Sequence, residues 1–316
     1  MAESSRQALS DVAARQLANA TKTVPQLAAI TPRWLVRFLD WRPVEAGIYR
    51  VNRVRDDATI EVACGSRDER NLPETFVDYE ERPREYTLSA ISTVLDVHTR
   101  VSDLYSNPID QIREQIRLTV ESVKELQESE LVNNAEYGLL NNVAPSMRIA
   151  TRKGSPSPDD LDELIARVWK EPSFFLAHPR AIAAFGRECT RRGVPPPTVT
   201  LFGSPFVTWR GIPLVPCDKL RINGAEASDK KAAGAGAGTT NILLMRVGEK
   251  KQGVVGLFQP GLPGEQTPGL SVRFTGISRK AIGSYLISLY CSAAVLTHDA
   301  LGVLENVDVG YYHEYK

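Results

Sequence analysis

The sequence predicts an α+β protein whose helices and strands are segregated more than alternating. Two patterns carry that reading: a long amphipathic helix after Asn107-Pro108, and a crowd of β-prone segments from Val199 onward. A third observation sets the solvent. Of 316 residues, 42% are hydrophobic and 24% charged, with no run of eighteen apolar residues, which is the composition of a water-soluble globular chain. At roughly 150 residues per domain, the length allows two compact units or one elaborated one.

The elements follow in order. Ser10 or Asp11 can cap a helix with Leu9, Val12, Ala13, Leu17 and Ala20 at helical spacing, ending before Pro25. Thr31-Pro32 starts a second helix carrying Trp34, Leu35, Phe38, Leu39 and Trp41 up to Pro43. Two such helices expose more apolar surface than they can bury against each other, so they need a dock on the body or on another copy. Gly47 to Val54 and Ala58 to Cys64 read as extended, and so does Tyr86 to Val101, where the apolar alternation changes parity near Ala90 as a bulge would make it. Together they suggest a two-stranded arm, which is marginal in water without foreign surface to lie on.

The helix after Pro108 places Ile109, Ile112, Ile116, Val120, Val123, Leu126 and Leu131 on one stripe, with Arg113, Arg117, Glu121, Lys124 and Glu128 elsewhere, over about six or seven turns. Then come a helix at 159–170, a strand at 173–176 and a helix at 179–190. Strands are expected at 199–203, 206–209, 212–215, 241–247, 253–258, 270–277 and 284–297. The Gly/Ala-rich stretch 223–240 reads as a surface loop between two strands.

Charge and chemistry exclude more than they suggest. Thirty-eight Lys plus Arg balance thirty-eight Asp plus Glu, so a nucleic-acid partner is not indicated, while self-association meets little electrostatic resistance. Cys64, Cys189, Cys217 and Cys291 show no CxxC spacing and read as thiols of a cytoplasmic protein. The N-terminus lacks the basic start and apolar core of a signal peptide. His98, His178, His298 and His313 are too scattered for a metal site. Gly234, Gly236 and Gly238 have no Lys-Ser/Thr after them, and Gly203-Ser204-Pro205 is no nucleophile elbow. No catalytic residue, cofactor site or metal site is expected. Asp159, Asp160, Asp162 and Glu163 read as acids in a first helical turn, while Arg191-Arg192-Gly193 reads either as a helix end or as a pore lining.

Several strings carry a family resemblance: Asp11 to Pro25, Pro43 to Arg53, Arg84 to Leu88, His98 to Tyr105, Pro172 to Leu176, Ala184 to Arg187, Arg192 to Thr198, Gln252 to Gly261 and His313 to Lys316. On these the chain resembles the family 2A encapsulin shell proteins over nearly its whole length. The resemblance implies an HK97 phage-capsid-like fold assembled into a closed icosahedral shell, of sixty copies of the chain, around a cargo enzyme in the cytoplasm. It implies an N-terminal arm at 1–43, an extended loop at 44–100, a peripheral domain at 101–155 and 266–316, and an axial domain at 156–265. Leu9, Val12, Leu17, Trp34, Leu35, Phe38 and Trp41 are then the inter-subunit contacts of the arm. Arg191, Arg192, Gly193, Val194, Pro195, Pro196 and Pro197 are the loop at the five-fold pore. The implied partner is a cysteine desulfurase, tethered by a disordered N-terminal extension; pyridoxal phosphate would belong to that cargo and no cofactor to the shell. No cyclic-nucleotide-binding domain interrupts 44–100, which separates the chain from the related 2B group. The alternative under the same fold is a phage or prophage major capsid protein; an ordinary α+β enzyme and a peripheral membrane antigen are the remaining classes.

Overall fold

The computed structural model describes residues 30–55, 58–62, 73–98, 111–224 and 238–312. The expected first helix, with Leu9, Val12 and Leu17, lies outside the described residues, as do Cys64, His313 and most of the Gly/Ala-rich stretch. Helices run α1 (Trp34–Phe38), α2 (Gln111–Asn133), α3 (Pro158–Arg167) and α4 (Pro179–Arg191). Strands begin with β1 (Asp40–Pro43), β2 (Ile48–Val51), β3 (Arg84–Thr87), β4 (Ser89–His98) and β5 (Arg148–Ala150). They continue with β6 (Phe174–Ala177), β7 (Thr198–Leu201), β8 (Ser204–Trp209), β9 (Ile212–Pro216) and β10 (Thr239–Met245). The last are β11 (Val254–Phe258), β12 (Glu265–Thr267), β13 (Leu270–Ile277), β14 (Ile282–Val295) and β15 (Leu301–Asp308).

Two sheets organise these elements. The first has the order β1-β11-β14-β13-β12, with β4 also on β14. Its long central strand carries β4 along residues 282–291 on one edge, and on the other β13 along 283–289 followed end to end by β11 along 291–295. Helix α2 packs over β4 and β14. The second sheet has the order β5-β15-β10-β6-β9-β8-β7. Its strand β6 is buried at all four residues, as expected of a strand covered on both faces, and it lies parallel to β9 across the α4 crossover. Helices α3 and α4 cover this sheet, and the main core of Phe174, Phe175, Leu176, Phe185 and Leu243 sits beneath them. Helix α3 starts where Pro158 occupies the first helical position and Ser157 and Asp160 form a reciprocal capping box.

The structure corrects the sequence reading at several points. The segment after Pro32 is a helix of only five residues: Arg33 enters it in the left-handed region (φ 49°) and Leu39 leaves it extended. Residues 40–43 are then a strand, because Trp41 pairs with Gly256 in the parallel β1–β11 ladder. That pairing needs the glycine, since a Cβ at Gly256 would fall 2.7 Å from the Trp41 ring. The two-stranded arm is also shorter than expected. β2 and β3 pair over four residues each, after which β4 leaves the arm to join β14. The parity change falls at Leu88, whose N–H closes the arm on Gly47, and not at Ala90. No strand covers the described residues 58–62. Strand β15, absent from the expectation, lies inside the second sheet between β5 and β10.

Strand β11, from the expected 156–265 span, lies in the first sheet, and β5 and β15, from the flanking spans, lie in the second. On α2, Leu126 faces outward, while Glu128, expected on the polar side, is buried.

Candidate functional site

Three surface features stand out, and each begins with a local sequence cause. The first is a clasp between the segment entering α1 and helix α2. Glu121, Glu125 and Glu128 recur at i, i+4 and i+7, which aligns three carboxylates on one stripe. Arg33 donates to Glu121 at 2.6 Å and to Glu125 at 3.0 Å; the Thr31 amide donates to Glu125 at 2.8 Å; the Leu35 amide donates to Glu128 at 3.0 Å. Lys219 closes the far side on Glu125 at 2.8 Å. The carboxylates thus satisfy amides that a short helix start leaves unpaired.

Burial would raise the Glu125 acid, but hydrogen bonds from Lys219 and Thr31 outweigh it and hold it below the usual range. Glu128 is 1% exposed, and there burial wins, pushing it up to about 7 against the Leu35 hydrogen bond. Folded Glu128 keeps its proton to higher pH than the unfolded chain does. Its contribution to stability is therefore complete below the ordinary carboxylate range near 4.5 and is lost as pH rises through about 7. Glu128→Gln keeps a carbonyl acceptor for Leu35 and removes the ionisation. The unfolding free energy of this variant, from urea titration, is expected to exceed that of the parent at pH 8 by on the order of 2 kcal/mol and to match it near pH 4.

This clasp relocates the aromatic residues assigned to inter-subunit contact. Trp34 and Leu35 are buried in the chain's own core, and Phe38 and Trp41 pack against it. Trp34 meets Phe206 edge-on at 5.1 Å, Phe38 lies 4.9 Å from Phe174, and the Trp41 indole N–H donates to the Val36 carbonyl. Left-handed Arg33 turns the chain back on its own body, so these four side chains find their dock within one copy.

The second feature is the loop after α4. Gly193 (φ 70°) ends the helix in a Schellman motif, its N–H bonding to Thr190 and that of Val194 to Cys189. Pro195, Pro196 and Pro197 then extend the chain into β7, and Thr208 ties Pro197 through its backbone N–H and its hydroxyl. All of Arg191 to Pro197 is exposed except Pro196, which is half-buried. Arg191 and Arg192 do not present free charge. Both pair with Glu188, at 2.5 and 2.7 Å, and Arg192 also pairs with Asp159 at 2.9 Å. The Arg191 hydrogen bond, with that of Arg192, pulls the Glu188 acid down to about 2. The acidic turn of α3 is structural likewise: Asp160 caps, Asp159 takes Arg192, and Asp162 takes Trp209 and Arg210.

The third feature is the excursion between Gly47 and Thr87. It leaves Ile48, Val54, Ile60, Val62, Phe76 and Tyr79 exposed, with Val62 and Phe76 each at 82%. Its root is fixed: the Tyr86 hydroxyl donates to the Val295 carbonyl at 2.8 Å, and Arg53 donates to the same oxygen. An apolar surface of this extent on a rooted ribbon is what an association face looks like.

Among the described residues no three His, Cys, Asp or Glu side chains come together as a metal site, and no helix is long and apolar enough to cross a membrane. Cys189, Cys217 and Cys291 are buried thiols, and burial raises all three, Cys189 to about 11. They pack as small hydrophobes.

Comparison with known proteins follows the same lines. The type 2A encapsulin shell protein SrpI of Synechococcus elongatus is 70% identical over 98% of this chain and 97% of its own length. A type 2A encapsulin shell protein of Mycolicibacterium paratuberculosis is 61% identical over the full chain and 99% of its own. These relatives are shell proteins and not enzymes. The holo-SrpI encapsulin complex from Synechococcus elongatus superposes with a TM-score of 0.83 at 66% identity, over 98% of this chain and 99% of that one. The capsid of a native GTA particle superposes with a TM-score of 0.59 at 13% identity, over 90% of this chain and 92% of that one, and shares the fold alone. The two-sheet architecture, with the long helix α2 as its spine and an exposed excursion, is accordingly the HK97 phage-capsid-like fold. The family model for SrpI-like type 2A encapsulin shell proteins matches residues 47–311, and the chain belongs to that family.

Proposed function

We propose that this protein is the structural subunit of an icosahedral encapsulin nanocompartment, sixty copies closing around a cargo enzyme in the cytoplasm. The observation that carries the reading is the Gly47–Thr87 excursion, which is rooted to the body and leaves large apolar side chains uncovered within one copy. Association supplies the missing burial at roughly 25 cal/mol per Å² of apolar surface. Balanced charge on the whole chain removes long-range repulsion between copies. The cargo is a cysteine desulfurase held through its N-terminal extension, which places the shell in sulfur metabolism; pyridoxal phosphate resides in that enzyme. Electron microscopy of the purified protein, alone and co-expressed with such a desulfurase, tests both halves. Hollow particles without the enzyme, and filled ones with it, are the expected results; a chain that stays monomeric at high concentration overturns the proposal.

The loop Arg191–Pro197 lines the five-fold opening in this reading. Because Glu188 and Asp159 already compensate the two arginines, the rim works by its shape and its fixed ion-pair network rather than by bare positive charge. Replacing both arginines by Glu puts four carboxylates together at each loop. Turnover of enclosed desulfurase at limiting cysteine is then expected to fall severalfold in particles of unchanged size, whereas unchanged turnover removes the loop from the solute path.

A further inference from the structure

A cleft of about 670 Å³ opens at the root of the excursion, where it meets the second sheet. Its cations are Arg50, Arg53, Lys170, Arg246 and Lys251, against the carboxylates of Glu171 and Asp299. Most of these charges are compensated. Lys170 and Arg246 both hold Asp299 at 2.9 Å, Lys251 reaches Glu171 at 3.3 Å, and Arg50 pairs with Glu85 at 2.7 Å. Arg53 differs. Its guanidinium donates to the Val295 carbonyl at 3.0 Å and meets no carboxylate among the described residues, and its Nε–H is buried without an acceptor. Arg246, whose side chain is 4% exposed, likewise has an Nε–H with no acceptor. Buried N–H groups in native proteins almost always have partners, so two orphans on the walls of one cationic cleft mark a missing acceptor.

We propose that this cleft binds a small oxyanion of the phosphate or sulfate class, with Arg53 as its principal ligand and Arg246 and Lys251 supplying the surrounding positive field. A guanidinium fork matches two oxygens of such an anion, and the surplus of cations over carboxylates favours a doubly charged ligand. Arg53 belongs to the excursion, whereas Arg246 directly follows β10 and Lys170 lies in the connection from α3 to β6. A bound anion therefore ties the excursion to the body and stiffens its root. The site lies within a single copy and does not depend on shell formation.

Titration of inorganic phosphate into the purified full-length protein, against chloride at matched ionic strength, tests this by calorimetry. Saturable binding is expected, with a rise in the thermal midpoint at about 10 mM phosphate that chloride does not reproduce. Arg53→Gln is expected to weaken the affinity roughly tenfold or more, and Lys251→Gln less so, with the far-ultraviolet circular dichroism unchanged. Absence of saturable heat, an equal effect of chloride, or parental affinity in Arg53→Gln would each overturn the proposal.

Discussion

Val62→Asp combined with Phe76→Asp is expected to leave a folded chain that no longer forms particles. Both side chains are 82% exposed, so in one copy the substitutions remove almost no packing, and surface changes of this kind stay within about 0.5 kcal/mol. In an assembled shell the same positions would bury carboxylates without partners, at a cost of several kcal/mol per contact. Repetition over every contact of a closed shell multiplies that penalty. Sedimentation velocity should show the loss as a collapse from a single large species to monomers and small oligomers, with the thermal midpoint of the dissociated chain unchanged. Particles of parental size would mean that the excursion's apolar face is not an assembly face.

Trp34→Ala is expected to have the largest effect on the single chain. The indole is 8% exposed, stands edge-on to Phe206, lies 6.3 Å from Phe202 and carries the Arg37 guanidinium 5.0 Å above its ring. Truncating a buried Trp costs about 3–5 kcal/mol, since the cavity is lined by rings that cannot all collapse into it. The loss falls where α1 is held to α2 by Arg33, Thr31 and Leu35, so the segment leading into α1 should loosen with it. Urea unfolding measures the midpoint, and Trp34→Phe should recover more than half of the difference. If Trp34 served instead as an inter-subunit contact, Trp34→Ala would lower particle yield while leaving the dissociated chain as stable as the parent.

Elements with a local cause are legible in the amino-acid sequence. The spine helix α2 shows its 3.6-residue stripe, α3 shows Ser157-Pro158 with an acidic first turn, and α4 shows Pro179 at its start and Gly193 at its end. The loop at Arg191–Pro197 is legible as a loop, but the neutralisation of its arginines is only half so. Glu188 is their neighbour in sequence, whereas Asp159 comes from another helix. The α1–α2 clasp is not legible as a site. Its carboxylates lie about ninety residues from their partners, and Glu128 looks like any other charged residue of an amphipathic helix. The i, i+4, i+7 spacing is the available signal, and it is equally the spacing of a solvated face.

The sequence by itself determined the secondary-structure inventory wherever periodicity and caps agree and, through long shared strings, the family. Only the tertiary structure decided which way the aromatic segment 34–41 folds, which strands share a sheet, and which charges are spent inside the chain. The reason is one of range. Propensity and capping act over a few residues, whereas the Trp41–Gly256 pairing, the Leu35–Glu128 hydrogen bond and the Tyr86–Val295 root join positions about 90 to 215 residues apart. Their burial is decided by the whole packing and not by their neighbours in sequence.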